Sequence, residues 1–193
     1  MSFKFKNKYR IATTRLPNWN YGWNAAYFVT ICTAKKKCYF GDVCHERNND
    51  SLMLLSDIGK SAETCWYKIP EHFPFVLLGD FVVMPNHVHG IIGINKQNDG
   101  SEDIFDLTAI DKTGKINKQS GNRFGPQSKN LASIVRGYKI GVTKQARLFD
   151  ADFAWQPRFY EHIIRNEQSF QRISKYINSN PENWKDDKFY VDI

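Results

Sequence analysis

The chain has 193 residues, 41% apolar and 15% aromatic, enough for one compact core and too apolar for wholesale disorder. Its net charge is +7, and the excess is local: eight Lys and Arg precede the first acid, Asp42, so residues 1–41 carry +8 and the remainder sums to −1. That field suits a polyanion, either nucleic acid or an anionic membrane surface, against the plainer alternative of a solvated basic arm; no run approaches the ~18–20 apolar residues of a membrane span.

Residues 1–24 are basic and aromatic without periodicity and read as an arm, packed or ordered only on binding. They lack the apolar centre of a signal peptide, which makes the cytoplasm the expected compartment. Ala25–Thr33 is rich in β-branched and aromatic residues and reads as a strand, followed by a basic turn, Lys35–Lys37, and the segment Cys38–Val43. Leu52, Leu55, Ile58, Ala62, Cys65 and Ile69 follow helical spacing, with Pro70 as the stop. The four cysteines, Cys32, Cys38, Cys44 and Cys65, contain no C-x-x-C pair and are expected as free thiols. Cys38, Cys44 and His45 have the wrong spacing for a zinc site.

Phe75–Met84 and His87–Ile94 are strand-like runs separated by Pro85-Asn86, a turn signal. Residues 95–128 are polar, with five acids and five bases, and form a connection long enough to be either disordered or functional. Ser128 is the expected cap of a helix whose apolar set is Leu131, Ile134, Val135, Tyr138, Val142 and Phe149. Lys129, Arg136, Lys144 and Arg147 fall opposite that set. Phe153–Ile164 reads as a strand, and Asn166 caps a last helix burying Phe170, Ile173 and Ile177 before Pro181. This order predicts an α+β fold, a mainly antiparallel sheet with helices packed on it.

Strand alternation places His87 and His89 on one face with Val88 on the other. Two converging imidazoles can hold a divalent cation, though such a pair also arises by accident. Tyr176 and Asn180 are spaced i, i+4 in the last helix, beside its buried stripe. An amide oxygen is an acceptable ligand for a hard cation and a tyrosine one turn away an available nucleophile; equally, Tyr176 packs at the core edge and Asn180 merely ends the helix.

Taken together, Met84-Pro85-Asn86-His87-Val88-His89, Arg123-Phe124-Gly125-Pro126-Gln127-Ser128, the basic helix, Trp155-Gln156-Pro157-Arg158-Phe159-Tyr160-Glu161-His162 and Tyr176-Ile177-Asn178-Ser179-Asn180-Pro181 resemble the single-tyrosine HUH transposases. The narrower resemblance is to the REP-associated tyrosine transposase branch, from about Tyr27 to Trp184. It implies a ferredoxin-like (RRM-like) sheet; the catalytic domain is expected over 25–184, with 95–128 a flexible insertion by which the chain departs from the family's simplest members, and 185–193 a tail. It implies His87, His89 and Asn180 as ligands of Mg²⁺ or Mn²⁺, and Tyr176 as the nucleophile on single-stranded or hairpin DNA, giving a 5′-phosphotyrosine and a free 3′-OH. Localisation would be cytoplasmic and nucleoid-associated. One tyrosine per chain means that two cleavages use two chains, as in a homodimer, or two successive rounds.

Tyr160, before Glu161-His162, is the competing tyrosine, and solvent or His162 are open choices for a base. The expected DNA-binding residues are Lys4, Lys6, Arg10, Lys35, Lys36 and Lys37, with Arg136, Lys139, Lys144 and Arg147 as a second strip and Phe3, Phe5, Trp19 or Trp23 stacking unpaired bases. The rivals are a non-catalytic DNA-binding regulator on the same fold, a metal-dependent hydrolase using water, and a replication-type HUH nuclease.

Overall fold

A computed structural model describes residues 4–5, 8–9, 15–16, 19–45, 51–96 and 128–191. In chain order the elements are β1 (Lys4–Phe5) and β2 (Lys8–Tyr9), which pair with each other, β3 (Ala25–Cys32), β4 (Gly41–His45), β5 (Ser51–Leu55), α1 (Asp57–Tyr67), α2 (Ile69–His72), β6 (Val76–Met84), β7 (His87–Ile94), α3 (Leu131–Ala146), β8 (Tyr160–Ile164) and α4 (Glu167–Asn178). Strands β6-β7-β3-β8 form one antiparallel sheet. With α1 and α3 as its crossovers, this is the ferredoxin-like order expected from the sequence.

The two central strands explain the layering. Every residue of β7 is buried, and so is β3 from Ala26 onward, so each strand must feed two cores. Tyr27, Val29 and Ile31 of β3 join Val88 and Ile92 of β7 in a core with Trp66 of α1 and Ile134 and Tyr138 of α3. The alternate residues Ala26, Phe28 and Ile91 join Ile164 and meet Ile173 and Ile177 of α4 on the opposite face. The face carrying α4 is the smaller core, and it also carries the two histidines. Gly90 is required by the larger core: a Cβ there would lie 2.3 Å from the Trp66 ring, which stacks on Phe81 at 4.3 Å.

Several boundaries differ from expectation. Ser51–Leu55 is a strand, paired antiparallel with Gly41–His45, so the expected helix from Leu52 begins only at Asp57. Ser56 is the cap, its hydroxyl accepting from Gly59 N at 3.1 Å. Pro70 lies in the first turn of α2, where its missing N–H costs nothing. Asn130 caps α3, not Ser128: Asn130 and Ser133 form a reciprocal capping box. Phe149 lies beyond the end of α3 and is exposed. Of Phe153–Ile164 only the last five residues are a strand; Phe153 instead fills the larger core and Trp155 bridges to Thr33. The polar connection lies outside the described residues from 97 to 127, as do Lys6 and Arg10 of the arm. Among the described residues no helix is long and apolar enough to cross a membrane.

Candidate metal and nucleophile site

The β6–β7 hairpin turns through Pro85-Asn86, and Asn86 is fully buried. It is held there by the chain on either side. Its carbonyl accepts from Thr33 N at 2.9 Å, and its Nδ2 donates to Lys36 O at 3.2 Å and Phe189 O at 2.8 Å. Its Oδ1 is thereby left to accept from Nδ1 of His87 at 2.9 Å, which turns Nε2 of His87 into the lone-pair nitrogen. Nδ1 of His89 likewise faces Thr30 Oγ1 at 2.8 Å, and its ring stacks on Phe28. The two Nε2 atoms then converge at 3.0 Å.

Both imidazoles are buried, and burial holds them neutral. It pushes His87 well below the usual histidine range, with His89, Lys188 and Lys36 adding repulsion, and takes His89 down to about 3 with help from Lys188. Neutral imidazoles with free Nε2 lone pairs are the form in which histidine binds metal.

Tyr176 reaches this pair from α4. Its hydroxyl lies 3.2 Å from His89 Nε2 and 3.5 Å from Asp187 Oδ2, with the ring edge-on to Phe28. Burial and the Asp187 charge raise its pKa, while a hydrogen bond with Asn180 lowers it. Asn180 does not continue the helix as its spacing predicts. The helix ends at Asn178, and the chain turns through Ser179 with Asn180 N donating to Ile177 O at 3.3 Å. Asn180 is nonetheless buried at the site; its Nδ2 sits 3.5 Å from Asp187 Oδ2, and its Oδ1 has no hydrogen-bond partner. His87 therefore meets His89, His89 meets Tyr176, and Asn180 meets Tyr176 and Asp187.

Asp187 is the site residue that sequence reasoning missed. A ligand atom from each of His87, His89 and Asp187 fits within 4.8 Å of the others, the one such grouping among the described residues. Cys38 and Cys44 are not part of it. Nothing periodic marks Asp187: it follows a short 3₁₀ turn (Trp184–Asp186) in the segment expected as a tail. That segment packs on the site, Phe189 and Trp184 lying 4.6 and 6.0 Å from the His87 ring.

Tyr160 is exposed at the sheet edge, edge-on to Phe28 with Lys188 above its ring; its hydroxyl bonds to neither histidine. His162 is exposed on the same strand, and the hydrogen bonds of Tyr176 go elsewhere. Of the expected DNA-binding residues, Lys35 and Lys36 adopt left-handed backbone conformations beside the site, and Lys36 Nζ donates to Lys188 O at 2.8 Å. Lys37 bonds Tyr39 at 3.3 Å. Lys4 lies in β1, its side chain outside the described residues. Arg136, Lys139 and Lys144 are on α3 and Arg147 caps its C-terminus, across the sheet from the histidines, around a groove lined by Val135 and Phe159. Two of them are engaged with backbone: Lys139 Nζ with Gln156 O and Arg158 O at 2.9 and 2.6 Å, and Arg147 Nε with Phe153 O at 3.4 Å. Trp19 is buried in the larger core, with Trp23 packed against that core, rather than free to stack bases.

No family model matches the chain. A protein of Haemophilus influenzae, described as uncharacterized, is 40% identical over 183 residues, covering 92% of each chain. The fold is similar to that of a REP-associated tyrosine transposase solved bound to a REP hairpin, with a TM-score of 0.55 at 18% identity over 89% of this chain and 73% of that one.

Proposed function

For this chain, which belongs to one family with the Haemophilus influenzae protein, we propose the chemistry of a single-tyrosine HUH transposase: cleavage and rejoining of single-stranded DNA through Tyr176. The observation that carries it is the 3.2 Å approach of the Tyr176 hydroxyl to His89 Nε2, which sets a nucleophile against a pair of converging imidazoles.

The residues fit a divalent cation. The Nε2 atoms of two neutral imidazoles converge at 3.0 Å, and Asn180, buried against Tyr176 and Asp187, has an unpartnered amide oxygen. His87, His89 and Asn180 would hold the ion, with Asn86 and Thr30 fixing the rings from behind. The ion, Mg²⁺ or Mn²⁺, would supply charge withdrawal from the scissile phosphate and its orientation.

Tyr176 then attacks the phosphorus: the tyrosine O–P bond forms, the P–O3′ bond breaks, the phenol proton is released and the departing 3′ oxygen is protonated. The product is a 5′-phosphotyrosine with a free 3′-OH. The phosphoester bond is conserved, so the 3′-OH can reverse the step without ATP. Lys35, Lys36 and Lys37 would hold phosphates of a strand entering the site, and the basic sequence of residues 1–24 would add to that positive charge. The proposed substrate is a hairpin with single-stranded flanks; the structural neighbour was solved bound to a REP hairpin. The catalytic unit spans 25–184, joined by the segment after it.

The test is incubation of the protein with labelled hairpin DNA from its own gene's flanks in Mg²⁺ or Mn²⁺, resolved on denaturing gels. A covalent adduct is expected, lost in Tyr176→Phe and His87→Ala. An adduct that survives Tyr176→Phe overturns the assignment in favour of Tyr160. Tight binding with no adduct makes the protein a DNA-binding regulator.

A further inference from the structure

We infer that Asp187 is a ligand of the same cation, so that the segment after α4 is part of the metal site. The inference rests on the metal reading above and adds to it the one anionic oxygen that reading lacks. Two imidazoles and an amide are all neutral, whereas sites for Mg²⁺ and Mn²⁺ draw on carboxylates.

Three observations carry it. The Asp187 carboxylate comes within 4.8 Å of the ligand nitrogens of both His87 and His89. Its orientation is fixed: Phe189 N donates to Oδ1 at 2.6 Å, which directs Oδ2 inward to the Tyr176 hydroxyl and Asn180 Nδ2. Both of those contacts are 3.5 Å, the outer limit of a hydrogen bond, so neither saturates the oxygen. Asn180, itself only 2% exposed, lies beside it with an orphaned Oδ1. That buried, unsatisfied oxygen belongs to the residue whose Nδ2 adjoins Asp187, a second observation at the site.

The segment is also placed firmly enough to supply a ligand. Asn86 Nδ2 grips Phe189 O at 2.8 Å and Lys36 Nζ grips Lys188 O at 2.8 Å, on either side of the chain's approach to the histidines. Asn86 thus positions both His87 and the Asp187 loop. The resulting donor set, two nitrogens and two oxygens, favours Mn²⁺ over the all-oxygen preference of Mg²⁺.

The experiment is a Mn²⁺ titration of the full chain without DNA, followed by the EPR signal of free Mn²⁺, with circular dichroism as a fold check. One site is expected in the unaltered protein, with affinity at least tenfold weaker in Asp187→Ala and absent in His87→Ala. Asp187→Asn, close in shape, is expected to weaken binding too, and it decides the matter if Asp187→Ala fails to fold. Mn²⁺ should also slow hydrogen exchange over 184–190 in the unaltered protein and leave it unchanged in Asp187→Asn. Loss in His87→Ala with unaltered affinity in both Asp187 variants overturns this inference alone. The same affinity with adduct formation abolished also overturns it, and assigns Asp187 to the Tyr176 proton. No Mn²⁺ binding by the unaltered protein overturns the metal reading and this inference together.

Discussion

The amide oxygen of Asn86 takes the Nδ1 proton of His87 at 2.9 Å, and so decides which nitrogen of that ring faces the site. The same side chain donates twice to backbone carbonyls, so its removal takes a partner from the buried His87 Nδ1 and from two part-buried carbonyls. Asn86→Ala should cost about 2–4 kcal/mol of stability and weaken Mn²⁺ binding by about 10–100-fold. Urea unfolding and the EPR titration measure the two effects separately.

Gly90 and Trp66 form a second coupled pair, on the opposite face. A methyl at position 90 collides with the indole at 2.3 Å. Gly90→Ala should destabilise the protein by about 1–3 kcal/mol. In the Trp66→Leu background the same substitution should cost less, because the obstructing ring is gone. A double-mutant cycle by chemical denaturation reads the coupling; strict additivity would contradict the clash.

Glu161 and Arg15 give a pH signature away from the site. Their side chains meet at 3.1 Å, with the glutamate almost fully covered. Burial pushes the Glu161 carboxyl above the ordinary range and Arg15 only partly offsets this. A carboxyl whose folded pKa exceeds its unfolded value binds more protons when folded. Its stabilisation is therefore full below the unfolded pKa, near 4.5, and is lost as pH rises through the folded one. Arg15→Ala should enlarge that loss, making the variant's deficit greater at pH 7 than at pH 4. Glu161→Gln in the same chain should abolish the pH dependence of the deficit. Unfolding curves at the two pH values check both.

The basic residues of α3 should separate into two kinds. Lys139 ties two carbonyls of the 156–158 loop and lies over the Trp155 ring, whereas Lys144 is exposed. Lys139→Ala should lower stability by about 1–2 kcal/mol. Lys144→Ala should leave stability unchanged. If α3 contacts DNA phosphates, Lys144→Ala should also reduce the salt dependence of binding by about one unit of slope. Binding isotherms at several salt concentrations provide the measurement.

The parts legible in the sequence are those with a period. Alternation placed His87 and His89 together, and helical spacing brought Tyr176 to the face that packs on the sheet. Where two periods coincided, the reading failed: Leu52, Leu55 and Ile58 fit a helix, yet Ser56 interrupts them and Leu52 points to solvent from a strand. Ser128 and Asn130 are both good caps by type, and only the left-handed turn at Lys129 selects the second. Asp187 carried no local signal at all. Its place depends on the chain doubling back after Asn180, and on a backbone carbonyl, that of Phe189, which any residue could have supplied.

The packing of residues 184–190 against His87 also orders events during synthesis. His89 and Tyr176 are 87 residues apart, a gap of about 4–17 s at a translation rate of roughly 5–20 residues per second. Asp187 follows Tyr176 later still. A nascent chain therefore displays its paired imidazoles well before it owns either the phenol or the carboxylate, and the proposed centre is not complete until that late segment has left the ribosome and folded back.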